Sequence, residues 1–235
     1  MASAFDDVRT PTSQPCVFWS DRDALGFSLL EMLLVIMIIL ILSGITFIAL
    51  QPALNAAKVN EAYDNVLMSF RAARQRAIAE RKQYILVLGT PAPAGVATPL
   101  GAPDGQSIQL FRWDATTGLA GAVQISTVEL PTYITFQTIS GLPDPGPDNF
   151  GTGSVALDFD YTANGGGTGG AGNLIVFMPD GSAQDTNGNM LSGVCYLAHD
   201  RDLYSSRAIT VFGTSGRIRG WRLVSNAGNP QWVKE

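Results

Sequence analysis

The feature that most constrains this chain is an apolar run at residues 26–50, GFSLLEMLLVIMIILILSGITFIAL. Its single ionisable residue is Glu31. About 24 apolar residues at about 1.5 Å rise each are enough for one helical crossing of a bilayer. The apolar region of a secretory signal is only about 7–15 residues long. The run therefore predicts a membrane helix.

Glu31 needs a reason, because a carboxylate at the bilayer centre costs roughly 2.5–3.5 kcal/mol on insertion scales. It lies near the start of the run, where the helix dipole favours negative charge. The letters GFSLLE at residues 26–31 resemble the cleavage and methylation signature of type IV prepilins and pseudopilins. The resemblance implies cleavage after Gly26 by a membrane peptidase, N-methylation of Phe27, and pairing of Glu31 with the terminal amine of a neighbouring subunit. The alternative is an ordinary membrane anchor that contains a glutamate.

These features predict three segments. Residues 1–26 are expected to be a leader removed by prepilin peptidase, residues 27–50 a transmembrane and assembly helix, and residues 51–235 one periplasmic domain. The leader is polar and shows no apolar periodicity. Only Arg22 lies near the membrane run, so the charge pattern gives little support to a positive-inside orientation.

The formal net charge of the chain is −5. The leader holds four aspartates and two arginines, a net −2, which leaves −3 for residues 27–235. An acidic chain is a poor generic binder of nucleic acid, so any such role must be local. Cys16 lies in the leader, which leaves Cys195 alone and excludes an intrachain disulfide in the mature protein. Cys195 is predicted to be a small buried apolar residue.

Beyond the apolar run, the periodicity predicts that the helix continues to about residue 82, with an expected kink at Pro52. Apolar residues recur near 3.6-residue spacing, which indicates a helix face that packs on a sheet. They are Leu54, Ala57, Val59, Ala62, Val66, Leu67, Phe70, Ala73, Ala77 and Ile78. The basic residues of this region are interpreted as a solvated face, and they are Arg71, Arg74, Arg76, Arg81 and Lys82.

After Lys82 the apolar period changes to two, which predicts strands. The predicted strands are residues 83–88, 107–113, 123–130, 133–139, 154–159, 174–178, 193–198, 207–212 and 217–224. Gly, Pro, Asn and Asp separate these short runs, a pattern typical of antiparallel sheets.

Two stretches carry a second resemblance: FMPDGSA at residues 177–183, and AITV with TSGRIR at residues 208–211 and 214–219. They resemble the C-terminal half of GspH/FimT-type minor pseudopilins, which has a Pro-Asp-Gly-Ser turn and a final hairpin that ends in Gly-Arg-x-Arg. Pro-Asp-Gly is favourable turn chemistry in itself. Residues 89–153 have no counterpart in this resemblance. It implies an α+β fold, in which a long N-terminal transmembrane helix packs on small antiparallel β-sheets.

Motifs for catalysis, cofactors and metals find no support. The letters GTGGAG at residues 167–172 fit a dinucleotide-binding pattern, but a strand is predicted where the helix should begin, so a flexible loop is predicted. Asp185, Asn187 and Asn189 begin like a calcium loop, but Met190 and Tyr196 occupy the required glycine and acid positions. His199 has no serine or cysteine neighbour in sequence to form a dyad. The sequence predicts no enzyme, no cofactor and no metal.

The sequence thus predicts a non-enzymatic minor pilin or pseudopilin of the bacterial inner membrane, in a type II secretion pseudopilus or a type IV pilus. Its expected partners are other pilins or pseudopilins, prepilin peptidase and the inner membrane. One alternative is a DNA receptor at the tip of a transformation pilus. Another is a membrane-tethered hydrolase, which lacks a catalytic constellation.

The nucleic-acid alternative depends on Arg217, Arg219 and Trp221. Side chains alternate along a strand, so these three are expected to project together while Ile218 points to the core. Arginines can hold phosphates, and an aromatic ring can stack on a base. In FimT-like members Gly-Arg-x-Arg is associated with DNA binding during uptake, and residues 216–219 match it. Alternatively, arginines on a terminal strand only discourage edge-to-edge pairing.

Overall fold

The computed structural model describes residues 28–89, 106–113, 121–160, 173–185 and 187–235. One long helix precedes the strands: α1 (Leu29–Glu80). The strands are β1 (Gln83–Leu88), β2 (Ser107–Trp113), β3 (Val123–Glu129), β4 (Ile134–Thr135), β5 (Leu157–Asp160), β6 (Leu174–Phe177), β7 (Ala183–Gln184), β8 (Ser192–His199), β9 (Arg207–Phe212), β10 (Arg217–Asn226) and β11 (Asn229–Lys234). Short 3-10 turns occupy Pro147–Asn149 and Leu203–Ser205.

The chain divides into two compact units, residues 1–49 and residues 50–235. The predicted leader, Gly26, Phe27 and the GTGGAG segment lie outside the described residues. Helix α1 has 52 residues and continues through Pro52, so the expected kink does not interrupt it. It ends at Glu80, and the left-handed backbone of the next residue, Arg81 (φ 52°), turns the chain toward β1.

The two sheets are antiparallel. The first has the strand order β3-β2-β1-β6-β7, and the second has the order β11-β10-β9-β8-β4. Strand β5 pairs with β8 through Leu157 and Cys195, and β4 pairs with β8 through Ile134 and His199. Two short strands therefore share one side of β8 at successive positions along it.

The core lies where the second unit's part of α1 meets both sheets. Helix residues from Val59 to Ala77 pack with β1, β2 and β6 of the first sheet and with β5, β8 and β9 of the second. Phe70 is central to this packing, because its ring lies 6.2 Å from that of Phe159 and 6.4 Å from that of Phe177. Cys195 is fully buried here, as predicted. The helix joins the two sheets through one continuous apolar cluster, which confirms the predicted α+β fold.

Most predicted helix positions are buried, but three are not. Leu54, Ala57 and Ile78 are exposed, because burial of the helix begins only at Val59 and Ile78 lies at the rim beside Gly181. Tyr63 is buried although the periodicity did not include it. A Cβ on Gly220 would stand 1.6 Å from the Tyr63 hydroxyl, so that glycine leaves the space the tyrosine fills.

The strand predictions differ from the structure chiefly at four places: the segments 133–139 and 154–159 form strands only in part, and β7 and β11 were not predicted. Residues 133–139 were predicted as one strand, but only Ile134–Thr135 pairs, at two positions along β8. The strand cannot begin earlier because Tyr133 has a left-handed backbone (φ 72°). Strand β11, which contains Pro230, was not predicted. An edge strand tolerates proline at positions where the backbone nitrogen faces away from the sheet, since an N–H there would have no partner in the ladder.

Candidate functional site

The first candidate site is the exposed apolar part of α1. The large apolar side chains from Leu29 to Leu54 are all exposed. By length and composition this is the one helix among the described residues that can cross a membrane. Ser43 and Thr46 are tolerated there because their hydroxyls donate to the carbonyl oxygens of Ile39 (2.7 Å) and Leu42 (2.8 Å).

Glu31 lies in the first turn of α1 and is exposed. Among the described residues it has no ion-pair partner. A carboxylate in the first turn is favourably placed for the helix dipole. Its oxygens are therefore available to a cation from outside the described chain.

The second candidate site is the β9–β10 hairpin, which carries the three residues of the nucleic-acid hypothesis. Arg217 pairs with Phe212 and Arg219 with Thr210 across the hairpin. Both guanidinium groups lie over the Phe212 ring, at 5.8 Å and 5.0 Å from its centroid. Trp221 packs in the apolar cluster on the outer side of the second sheet, whereas Ile218 packs against the core. The predicted alternation is correct.

Two of these three side chains already have partners. Arg219 forms an ion pair with Asp148, and the other oxygen of that carboxylate accepts from Thr210 Oγ1 at 2.7 Å. Trp221 Nε1 donates to the same Thr210 oxygen at 3.1 Å. Arg217 alone of the three is exposed. The charge available at this face is therefore smaller than the sequence predicted.

Sequence reasoning missed Asp148. It sits in the short turn Pro147–Asn149, with a left-handed backbone at Asp148 (φ 56°) and Asn149 (φ 60°). Its carboxylate is 71 positions from Arg219 in the chain. No local pattern links two residues at such a separation.

A third feature brings together both stretches of the C-terminal resemblance. In the Pro-Asp-Gly-Ser turn, Asp180 Oδ1 accepts from the Ser182 hydroxyl (2.6 Å) and backbone N–H (2.8 Å), and these hydrogen bonds lower the pKa of Asp180. Arg74 Nε donates to the carbonyl oxygen of Gly181 at 3.1 Å, and its Nη2 donates to that of Ser215 at 3.0 Å. Arg74 therefore fastens both turns to α1 and is only partly solvated. This corrects its interpretation as part of a solvated face.

The calcium-loop and histidine motifs have structural explanations. Asp185 Oδ1 accepts from the backbone N–H groups of Asn187 and Asn189, each at 2.8 Å, so the carboxylate organises its own turn. The Ser205 hydroxyl accepts from the backbone N–H of His199 at 2.9 Å rather than from its ring. Among the described residues, no group of three or more His, Cys, Asp or Glu is placed to hold a metal ion.

Comparison with known proteins places the first candidate site in a family context. Residues 21–47 match the prokaryotic N-terminal methylation motif, which includes Gly26, Phe27 and Glu31. The N-terminal region is therefore similar to that of type IV pilin-like proteins. No curated protein and no solved structure matches the chain.

Proposed function

We propose that the chain is a minor pilin or pseudopilin: a non-enzymatic subunit, anchored in the bacterial inner membrane, of a type II secretion pseudopilus or a type IV pilus. The observation that carries the proposal is the exposed apolar part of α1, inside the methylation motif, with an acid in its first turn that has no ion-pair partner among the described residues. Such a helix serves equally as a membrane anchor and as the packing element of a filament. The β-rich domain that follows would then lie in the periplasm.

Processing is the first part of the proposal. Prepilin peptidase would cut between Gly26 and Phe27, and Phe27 would be N-methylated. Co-expression with a prepilin peptidase should shorten the chain, and N-terminal sequencing should find Phe27 first. Gly26→Ala should block the shortening strongly. A new start at any other residue would contradict the proposal.

A minor role within the filament, of the GspH/FimT type, is supported by the two C-terminal turns. Gly181 and Gly216, one from each motif, approach so closely that the motifs form one structural unit fastened by Arg74. The unmatched segment at residues 89–153 supplies β2, β3 and the Asp148 turn to this domain. It is therefore a candidate for contacts specific to this subunit.

A second candidate function is DNA binding during uptake. The observation in its favour is the stacking of Arg217 and Arg219 over the Phe212 ring beside Trp221, which holds cations and aromatic surface together. The full-length protein in detergent should then bind single-stranded DNA, with an affinity that falls as salt rises. Changing Arg217 and Arg219 together to glutamine should abolish this binding.

The matched control for that experiment is Arg222→Gln. Arg222 is exposed on the same strand but lies on the side of β10 opposite to Arg217 and Arg219. Binding should survive this change, because only the general charge is reduced. Absence of any DNA complex with the wild-type protein at low salt would leave the filament subunit without a nucleic-acid role.

A further inference from the structure

A basic pocket lies where α1 meets the β9–β10 turn, and it shares Arg217 with the face that carries Arg219 and Trp221. It has a volume of about 490 Å³ and is lined by Arg71, Arg74, Ser215, Gly216, Arg217 and Ile218. Three arginines therefore line one small space, and the lining contains no carboxylate. Among the described residues none of the three arginines forms an ion pair. This concentration of unpaired charge favours an anion.

Two of the arginines are held in place before any ligand arrives. Arg74 uses Nε and Nη2 to bind two backbone carbonyl oxygens. A guanidinium has five N–H donors, so three remain for a ligand. Arg217 is held over the Phe212 ring at 5.8 Å. Fixed donors lose little side-chain entropy when they bind, so the site is preorganised.

The backbone at Gly216 is part of the site's construction. A Cβ there would stand 2.8 Å from Arg74 Nε. Glycine therefore lets the turn approach the guanidinium, and the left-handed backbone (φ 58°) places Arg217 at the pocket's edge. Any side chain at this position would displace either the turn or Arg74.

We propose that Arg71, Arg74 and Arg217 form a binding site for a phosphate group. Phosphate carries about −1.5 to −2 charge at neutral pH and offers three strong acceptor oxygens. A carboxylate carries one charge on two oxygens and would leave more of the cluster unneutralised. Arginine forks match phosphate oxygens in pairs. The phosphate is either free, as in an inorganic polyphosphate, or part of a nucleic-acid backbone.

The test uses the full-length protein in detergent, with inorganic pyrophosphate as the probe in isothermal titration calorimetry. Arg71→Gln should weaken pyrophosphate binding by about tenfold or more, since hydrogen bonds to charged groups contribute that much. Arg71 is exposed, so this change should not unfold the protein. Arg76→Gln is the matched control, because Arg76 is exposed on the same helix but does not line the pocket. Equal affinity of the Arg71→Gln variant and the wild type, or no binding by the wild type, overturns the proposal.

Two further measurements separate the sources of phosphate from each other and from the DNA-binding candidate. If an oligonucleotide competes with pyrophosphate and its binding also falls in Arg71→Gln, the phosphate belongs to nucleic acid. The pocket takes free phosphate if pyrophosphate binding depends on Arg71 but oligonucleotide binding does not. In that case oligonucleotide binding is either absent or depends on Arg219. A glutamate-rich peptide that displaces pyrophosphate at lower concentration than an oligonucleotide or tripolyphosphate would show a carboxylate site and overturn the proposal.

Discussion

Gly216 and Gly181 are in direct backbone contact: a Cβ on Gly216 would stand 1.8 Å from the carbonyl oxygen of Gly181. The same carbonyl accepts the hydrogen bond from Arg74 Nε at 3.1 Å. Both glycines have left-handed backbones, with φ 58° and φ 85°. The two turns of the C-terminal half therefore depend on each other's lack of side chains.

Gly216→Ala should destabilise the protein by more than the ordinary cost of a left-handed alanine, which is roughly 1–2 kcal/mol. Overpacking against the Gly181 carbonyl should add about 1–3 kcal/mol. The control is Gly228→Ala, because Gly228 has φ 87° and a Cβ added there would have no atom within 4 Å. Denaturant unfolding of the two variants would measure the difference. Equal losses would mean that the turns do not constrain each other.

The ion pair between Asp148 and Arg219 should be coupled through the fold, since the side chains are only 8% and 23% exposed. Removing one partner leaves a mostly buried charge unpaired. In a double-mutant cycle of Asp148→Asn and Arg219→Gln, we expect a coupling energy of about 0.5–3 kcal/mol. Thermal or denaturant unfolding of the four proteins gives this value. Strictly additive losses would show that the pair contributes nothing to stability.

Alkaline pH should destabilise the second unit. Burial raises the pKa of the Cys195 thiol to about 12 and also raises the pKa values of Tyr63 and Tyr196. In the unfolded chain the pKa of a cysteine thiol is about 8.5. The raised folded pKa therefore adds stability below the unfolded pKa, and this contribution is lost as pH rises from about 8.5 toward 12.

The measurement is the denaturant midpoint as a function of pH. Cys195→Ala should remove the earliest part of the alkaline decline and leave the tyrosine part above about pH 10. The wild-type thiol should also resist alkylation until the protein unfolds, because the thiolate is the nucleophile. Rapid labelling of Cys195 in the folded protein would contradict its burial.

The long helix and most strands were predictable because their signals are local. Strands β1, β2 and β9 match the predicted bounds, since each is a short alternating or apolar run between turn residues. Strand β11 was missed; it contains Pro230, which an edge strand tolerates. Local pattern thus identified elements well, but not their place in the sheet.

The candidate sites were less predictable because their partners are distant in sequence. Nothing near Arg219 indicates that Asp148 neutralises it, and nothing near Arg74 indicates that it binds turns 107 and 141 positions away. Charge on a helix or strand is normally solvated, and no local pattern marks these residues as exceptions. Their roles follow only from the packing of α1 on both sheets.

Glu31 should serve assembly rather than folding, since every buried apolar residue of α1 lies at Val59 or beyond. Glu31→Gln keeps the side-chain shape and removes the charge, so membrane insertion should persist while incorporation into filaments falls. Ser43→Ala is the matched control, because Ser43 is a polar residue of the same apolar stretch whose hydroxyl binds its own helix. Site-specific crosslinking to co-expressed pilins measures incorporation. Equal crosslinking of Glu31→Gln and the wild type would show that assembly does not depend on the charge of Glu31.

Removal of residues 1–49 should leave a folded and soluble domain. The second compact unit begins at Leu50. All buried apolar positions of the helix lie at Val59 or beyond, so the helix residues removed by the truncation, from Leu29 to Ala49, are exposed ones. The fragment of residues 50–235 should therefore be monomeric by light scattering and should unfold cooperatively. Truncation at residue 65 instead would delete Val59, Ala62 and Tyr63 from the core and should abolish the transition. If the fragment of residues 50–235 aggregates instead, the apolar stretch before Leu50 takes part in folding. The proposed boundary between anchor and domain would then be wrong.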